Sequence, residues 1–382
     1  MVAADPGDGL TMGDCVFHPY VDLSVTHDSN PARVSDDPES DQFADSYAGM
    51  RLGYSAFMLD IDGQGFVGAR NYRELSEDDF SVWGEMLGLR YGQQDTLLIE
   101  LSQSFRLVED YDRFLAEGTA GGVSPDSILD ASARDRREVD EAGLSVGNKL
   151  TDKLDLNTGY RFSQVNYLTS SLYDTESHIG EVETSYRATD KTDAFLLALY
   201  GIQSTTASTD YGDQMAFRAG LKSRGTDRIT YKVGAGVKQF AGPDETGDRT
   251  FFHYDASAVW KATDKILGQL GMRNGAVVSS VYADNSTEYW SAWAGPLYQA
   301  TPNLALTANV TYREDDYFKM VQVGDSLMDR EDKGVAGRLR ADYLTAHKFL
   351  RLYGEAIYEK VDSTVVSSYD DMRLTLGMSV QY

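Results

Sequence analysis

Cysteine is almost absent from this chain of 382 residues: Cys15 stands alone, so no disulfide framework can form. It is not expected to be a lipoprotein cysteine, because "MVAADPGDGLTMGD" ahead of it has no apolar signal core. That opening does not read as a secretory signal either. "VAAD" fits a mature terminus behind an added Met, and we read the chain as a processed form. No apolar run approaches the ~20 residues a membrane helix needs, and mean hydropathy is −0.39. Positive charge is scarce. The formal net charge of −25 argues against nucleic acid, whose phosphates must be met by clustered Lys and Arg. There are only 8 prolines, against 35 glycines and 24 tyrosines.

A short polar tetrad recurs instead. "ATDK" around Thr189 and Thr263 has close relatives at Thr151, Thr226, Thr301 and Thr345, with successive threonines 38, 37, 37, 38 and 44 residues apart. Helical repeats and propeller blades share such periods, and the local alternation decides between them. In "LALTANVTYR", Leu304, Leu306, Ala308, Val310 and Tyr312 alternate with Ala305, Thr307, Asn309, Thr311 and Arg313. "ITYKVGAGVK" and "LDLNTGYRFS" repeat this period of two, which belongs to strands with two unlike faces.

Each unit therefore reads as strand, tight turn, strand and longer loop. The opposite connections are longer and acidic: "DSNPARVSDDPESDQFADS", "NYRELSEDDF", "EDDYFKMVQVGDSLMDREDK", and the longest across 109–138. Earlier short turns are expected at Asp60–Gln64 and Tyr91–Asp95. Strands are expected to start near Val16, Ser46, Gly65, Phe80, Thr96, Asp140, Lys153, His178, Thr192, Gln214, Arg228, Phe251, Lys265, Glu288, Asn303, Gly334, Lys348 and Asp371. The fold expected is an all-β, up-and-down antiparallel transmembrane barrel of about 18 strands, with 16 as the alternative count. Residues 1–14 would be a flexible segment and 15–382 one barrel.

A ring this wide cannot be filled by side chains, so its interior would be aqueous and its apolar faces would meet lipid. Tyr160, Tyr186, Trp260, Tyr298, Tyr312, Tyr343 and Tyr358 lie near strand ends, where interfacial girdles place aromatics. Pore-lining candidates are then Arg161, Arg218, Lys222, Lys232, Lys238, Arg273, Arg313, Arg338, Arg340, Arg351 and Arg373, with Glu100, Asp155, Glu181, Glu183, Asp255, Asp342 and Glu355. Two readings stand side by side: paired charges that stiffen the wall, or a basic stripe that guides an anionic solute. The acidic loops read as solvated surface, or as sites where divalent cations bridge "SDDPESD" to lipopolysaccharide.

Chemistry-bearing motifs are few. Gly63, Gly65 and Gly68 fit G-x-G-x-x-G, but no helix pattern follows, and a hairpin turn explains the glycines. His18, His27, His178, His253 and His347 share no metal spacing, and no nucleophile motif stands out. Neither enzymatic activity nor a cofactor is expected. In "MRLTLGMSVQY", Leu374, Leu376, Met378 and Val380 alternate up to Tyr382, which resembles the terminal signal read by the barrel-assembly machinery of bacterial outer membranes.

With "FHPYVDLSVTHDSNPARVSDD" near the start and the T-D-K-like hairpins, the chain resembles the outer-membrane β-barrel porins associated with exopolysaccharide operons. It is similar in strand number and basic lumen to alginate-export barrels. The resemblance implies an outer-membrane pore, surrounded by lipid and lipopolysaccharide, through which a polysaccharide leaves in concert with periplasmic export proteins. A diffusion porin for small solutes and a plugged structural or adhesive barrel are the alternatives.

Overall fold

The computed structural model describes residues 9–31, 33, 35–76, 79–93, 96–109, 136–168, 172–206, 212–223, 228–241, 248–279, 282, 285–323, 326–345, 348–365 and 368–382. Eighteen long antiparallel strands form one sheet: β1 (Cys15–Asp28), β2 (Asp41–Ala56), β3 (Leu59–Tyr72), β4 (Phe80–Gly92), β5 (Leu97–Glu109), β6 (Arg136–Thr151), β7 (Leu154–Tyr167), β8 (Thr175–Arg187), β9 (Thr192–Thr205), β10 (Gly212–Ser223), β11 (Ile229–Ala241), β12 (Asp248–Lys261), β13 (Ile266–Val278), β14 (Ser286–Thr301), β15 (Leu304–Tyr317), β16 (Glu331–Leu344), β17 (Leu350–Ser363) and β18 (Tyr369–Gln381). Each pairs with its neighbour in the chain, and β18 returns to β1 from Tyr20↔Gln381 to Asp28↔Arg373. The barrel is closed, so no edge is left to lipid. Short extra strands are Leu10–Met12, folded back on Cys15–Phe17, and a ribbon of Val321–Val323 with Ser326–Met328.

At four of the six recurring threonines the hydroxyl has a local role, whereas Thr345 Oγ1 is buried with no hydrogen-bond partner among the described residues. Thr151 Oγ1 accepts from the N–H groups of Lys153 (3.2 Å) and Leu154 (3.1 Å), and Thr263 Oγ1 accepts from Lys265 (3.1 Å) and Ile266 (3.0 Å). Thr189 and Thr301 hold the N–H two residues on in the same way, each at 3.2 Å. A hydroxyl that satisfies the turn's free amides suits a two- to four-residue reversal. Thr226 lies outside the described residues.

One expected turn is misplaced. Asp60–Gln64 and the two glycines behind it, Gly65 and Gly68, run within β3, and the chain reverses at Phe57–Met58, where Phe57 has φ 54°. The register is fixed by Arg70, whose guanidinium holds Asp45 across the ladder at 2.7 and 3.0 Å. Gly68 then lies opposite Tyr47, where a Cβ would come within 2.5 Å of the tyrosine ring. The long connection expected across 109–138 begins and ends inside β5 and β6, and 110–135 lie outside the described residues.

Alternation orients the faces. Val21, Leu23 and Val25 of β1, Leu374, Leu376 and Met378 of β18, and Leu339 and Tyr343 of β16 point outward and are exposed. Trp290 and Tyr298 share the outer face of β14, eight residues apart. On a tilted strand that is roughly 20 Å of height, close to an apolar belt between two aromatic girdles. The belt is not uniform: Glu85, Gln103, Asp140, Gln164 and His178 share the outer face of β4–β8.

Among the described residues the wall parts most widely at one seam. β12 and β13 pair only from Lys261↔Leu267 to Asp255↔Arg273, although both strands continue beyond. Past Arg273 the top of β13 leans into the barrel, and Ala276 and Val278 pack with Phe240 and Phe318.

Candidate functional site: the lumen

The inner faces carry the charges, and their surroundings divide the lumen into three sectors. Across β4–β8 the ion pairs are the more solvent-exposed ones. Arg90 lies 3.7 Å from Glu100, Arg106 2.9 Å from Glu141, and Arg161 3.2 Å from Glu181 with 61% of its side chain exposed. Side chains that point into a closed barrel and remain this exposed require a water-filled interior.

The sector β14–β18 is packed. Arg338 donates to Glu355 at 2.7 Å, and Arg340 forks onto Asp342 at 2.9 and 3.0 Å while reaching Glu355 at 3.3 Å. Arg351 stands 3.9 Å from Asp342. Nearer the loop end, Arg373 lies between Glu359 (3.4 Å) and Asp371 (3.2 Å), and Tyr369 donates to Glu359 at 2.7 Å. Arg313 and Asp315 meet at 2.7 Å, Arg330 and Asp332 at 2.8 Å, all four almost completely buried. Arg313 also sits 4.4 Å over the Tyr289 ring. Here the sequence-derived cations each face a carboxylate, the arrangement of a stiffened wall.

The third sector, β10–β13, is different. Lys222 and Lys232 converge on one carboxylate, Glu183, each at 2.7 Å. Arg218 reaches Asp255 only at 3.9 Å, and Arg273 lies opposite Asp255 with its guanidinium 5.8 Å from the Trp293 ring. Lys238 is 93% buried, from a relative exposure of 7%, and has neither a hydrogen-bond nor an ion-pair partner among the described residues. It stands opposite Ala216 and Phe251, with Gln214 and Arg218 diagonal to it on β10. Gln214 Nε2 and Arg218 Nε are buried without acceptors among the described residues. Three donors without acceptors among the described residues therefore share one patch of inner wall, with the Glu288 carboxylate near enough to act on Lys238.

The loop-end mouth above this patch is narrowed by the wall itself. Arg249 Nη2 donates to the Phe318 carbonyl at 2.9 Å and lies 4.2 Å over the Phe318 ring. Asn285 ties the next residue down, accepting from Lys319 N at 3.1 Å and donating to its carbonyl at 3.3 Å.

By register, all eighteen residues we proposed for the pore lie on the lumen side, but they do not form one site; Asp155, Glu181 and Glu183 lie on β7 and β8, and Lys222 and Asp255 beside the basic residues of β10–β13. Arg161 and Glu100 are in the wet sector; Arg218, Lys232, Lys238 and Arg273 in the basic one; Arg313, Arg338, Arg340, Asp342, Arg351, Glu355 and Arg373 in the packed one. Sequence reasoning passed over Arg90, Arg106 and Glu359, which the alternation of β4, β5 and β17 could have found. It also passed over Arg330, which precedes its strand and has no alternation signal. At the terminus, Leu374, Leu376, Met378 and Val380 face outward, and Tyr382 N donates to the Pro19 carbonyl at 3.1 Å.

Several solved structures share the overall barrel. OccAB4 of Acinetobacter baumannii matches at 12% identity over 96% of this chain and 98% of that one, with a TM-score of 0.49. OpdK of Pseudomonas aeruginosa, solved with vanillate, matches at 12% identity over 96% and 99%, TM-score 0.49. OpdO of the same organism matches at 14% identity over 96% and 97%, TM-score 0.48. At these values the likeness concerns the fold and adds nothing to the reading of the lumen. No protein-family model and no curated protein matches the chain.

Proposed function

We propose that this chain is a passive outer-membrane channel for small hydrophilic solutes, with small anions favoured along β10–β13. The observation that carries the reading is the closed barrel's wet inner wall, where inward ion pairs such as Arg161–Glu181 stay solvated while the outer faces are apolar. Small solutes are supported over a polymer by the loop-end mouth, which the top of β13 and Phe318 narrow from one side. Neither the lumen nor the structural matches support an exopolysaccharide as cargo, and we set that expectation aside. Anion preference is supported by Lys238, Gln214 and Arg218, whose buried donors lack acceptors among the described residues.

Liposome swelling and planar-bilayer recording test the reading. The expected result is uptake of small sugars and acids with a sharp size limit, and a reversal potential on the anion side in a salt gradient. A barrel that neither swells liposomes nor conducts would be the plugged structural alternative.

A further inference from the structure

The seam between β12 and β13 is finished on both sides by side-chain amides. On the β12 edge, Asn274 Oδ1 accepts from Tyr254 N at 2.8 Å and Asn274 Nδ2 donates to the Phe252 carbonyl at 2.7 Å, standing in for the ladder bonds that β13 no longer makes. On the β13 edge, Val278 N donates to Gln203 Oε1 at 3.2 Å, a residue of β9 that β13 reaches only by crossing inside β10–β12. The barrel thus overlaps itself like a scroll. The outer face of β13 lies on the inner face of β10 and β11, with Val278 against Gly212 and Phe240.

The sequence is equally suited to an unbroken wall. Continuing the β12–β13 register past Asp255↔Arg273 sets Asn274 opposite Tyr254, Ala276 opposite Phe252 and Val278 opposite Thr250, with no slip. Ala276 and Val278 would then join Leu270 and Met272 on the lipid face, and the ladder bonds now replaced by Asn274 and Gln203 would re-form.

We propose that the end of β13 is a gate with two seats, resting on the channel reading above. In the tucked seat it overlaps β12 and narrows the mouth; in the wall seat it zips onto β12 and widens it. Asn274 is the positioning residue at the hinge, because its amide occupies the β12 edge only when the strands part. The tucked seat gains the packing of Ala276 and Val278 against Phe240 and Phe318 and the bond from Val278 N to Gln203. The wall seat gains backbone pairing. Each gain is a few weak interactions, so the two seats are close in free energy.

Disulfide trapping tests the gate, in a Cys15→Ser background reconstituted in vesicles. A Cβ built on Gly212 lies 3.2 Å from Val278 Cγ2, so Gly212→Cys with Val278→Cys should lock the tucked seat. Thr250→Cys with Val278→Cys should lock the wall seat. Both pairs are expected to cross-link under oxidant, the first lowering single-channel conductance and the second raising it, each reversed by reductant. Asn274→Ala is expected to speed the Thr250/Val278 cross-link by roughly five- to thirtyfold, the worth of one or two hydrogen bonds. Gln203→Ala should act in the same direction and serves if Asn274→Ala assembles poorly. The proposal is overturned if the Thr250/Val278 pair stays reduced while Gly212/Val278 closes, or if both locks conduct alike. A wild-type barrel without conductance would instead sink the channel reading, while cross-link yield on gels would still report on the seam.

Discussion

If the sector β14–β15 is dry, removing one partner of Arg313–Asp315 should be far more costly than removing a partner of Arg161–Glu181. Both members of the first pair are at most 1% exposed, and Arg313 Nε donates to Asp315 at 2.7 Å beneath the Tyr289 ring. At an effective dielectric of 20, two charges about 4 Å apart attract by roughly 4 kcal/mol. Much of this offsets the desolvation of both ions, so the intact pair contributes little net stability. Breaking it leaves one buried ion, which costs about 3–5 kcal/mol. Asp315→Ala and Arg313→Met should each lose about that much, while Arg313→Met with Asp315→Leu should lose about 1 kcal/mol or gain stability. Glu181→Gln, against an arginine 61% exposed, should change stability by about 1 kcal/mol or less. Equilibrium unfolding by denaturant from lipid vesicles, followed by tryptophan fluorescence and by the heat-modifiable gel band, reads all four variants. Equal small losses for Asp315→Ala and Glu181→Gln would show that the lumen is as wet at β15 as at β8, and would refute the sector division.

Three further outcomes follow from the same geometry. Lys238→Met should move the reversal potential toward cations, whereas Arg340→Gln with Asp342→Asn, which removes one charge of each sign, should leave it in place; the reverse ranking would show that selectivity lies in the packed sector. Phe57 is fully exposed with φ 54°, a conformation costly for a bulky residue, so Phe57→Asn should stabilise the barrel by about 1 kcal/mol in the same unfolding assay. Glu85 lies on the outer face between Gly65 and Phe105, and Glu85→Leu should raise stability in vesicles by up to about 2 kcal/mol; no gain would mean that water or a neighbouring molecule solvates this carboxylate.

Much of the barrel was legible because its rules are local. A period of two assigns each residue to one face, and a threonine that caps its own turn marks where the chain reverses. Strand starts read from "LDLNTGY" or "ITYKVGAG" fall within a residue of those observed at Leu154 and Ile229. The β2–β3 turn was misread because "DIDGQG" has the composition of a turn and "FM" does not. The Asp45–Arg70 pair decided it, and a pair 25 residues apart in sequence leaves no local trace.

The lumen separates what sequence and tertiary structure each decide. Alternation determines by itself that Arg161, Lys238 and Arg313 all face inward, because side-chain direction is a property of one strand. It does not determine that the first is solvated, the second buried without a partner among the described residues and the third sealed against a carboxylate, because those depend on what lies across the barrel. The seam is the sharpest case. Residues 274–278 continue an unbroken alternation, and nothing local distinguishes them from a strand that stays in the wall. Only closure of the whole ring brings Gln203, Phe240 and Phe318 to meet them, and those contacts, made between strands distant in sequence, determine that the strand turns inward.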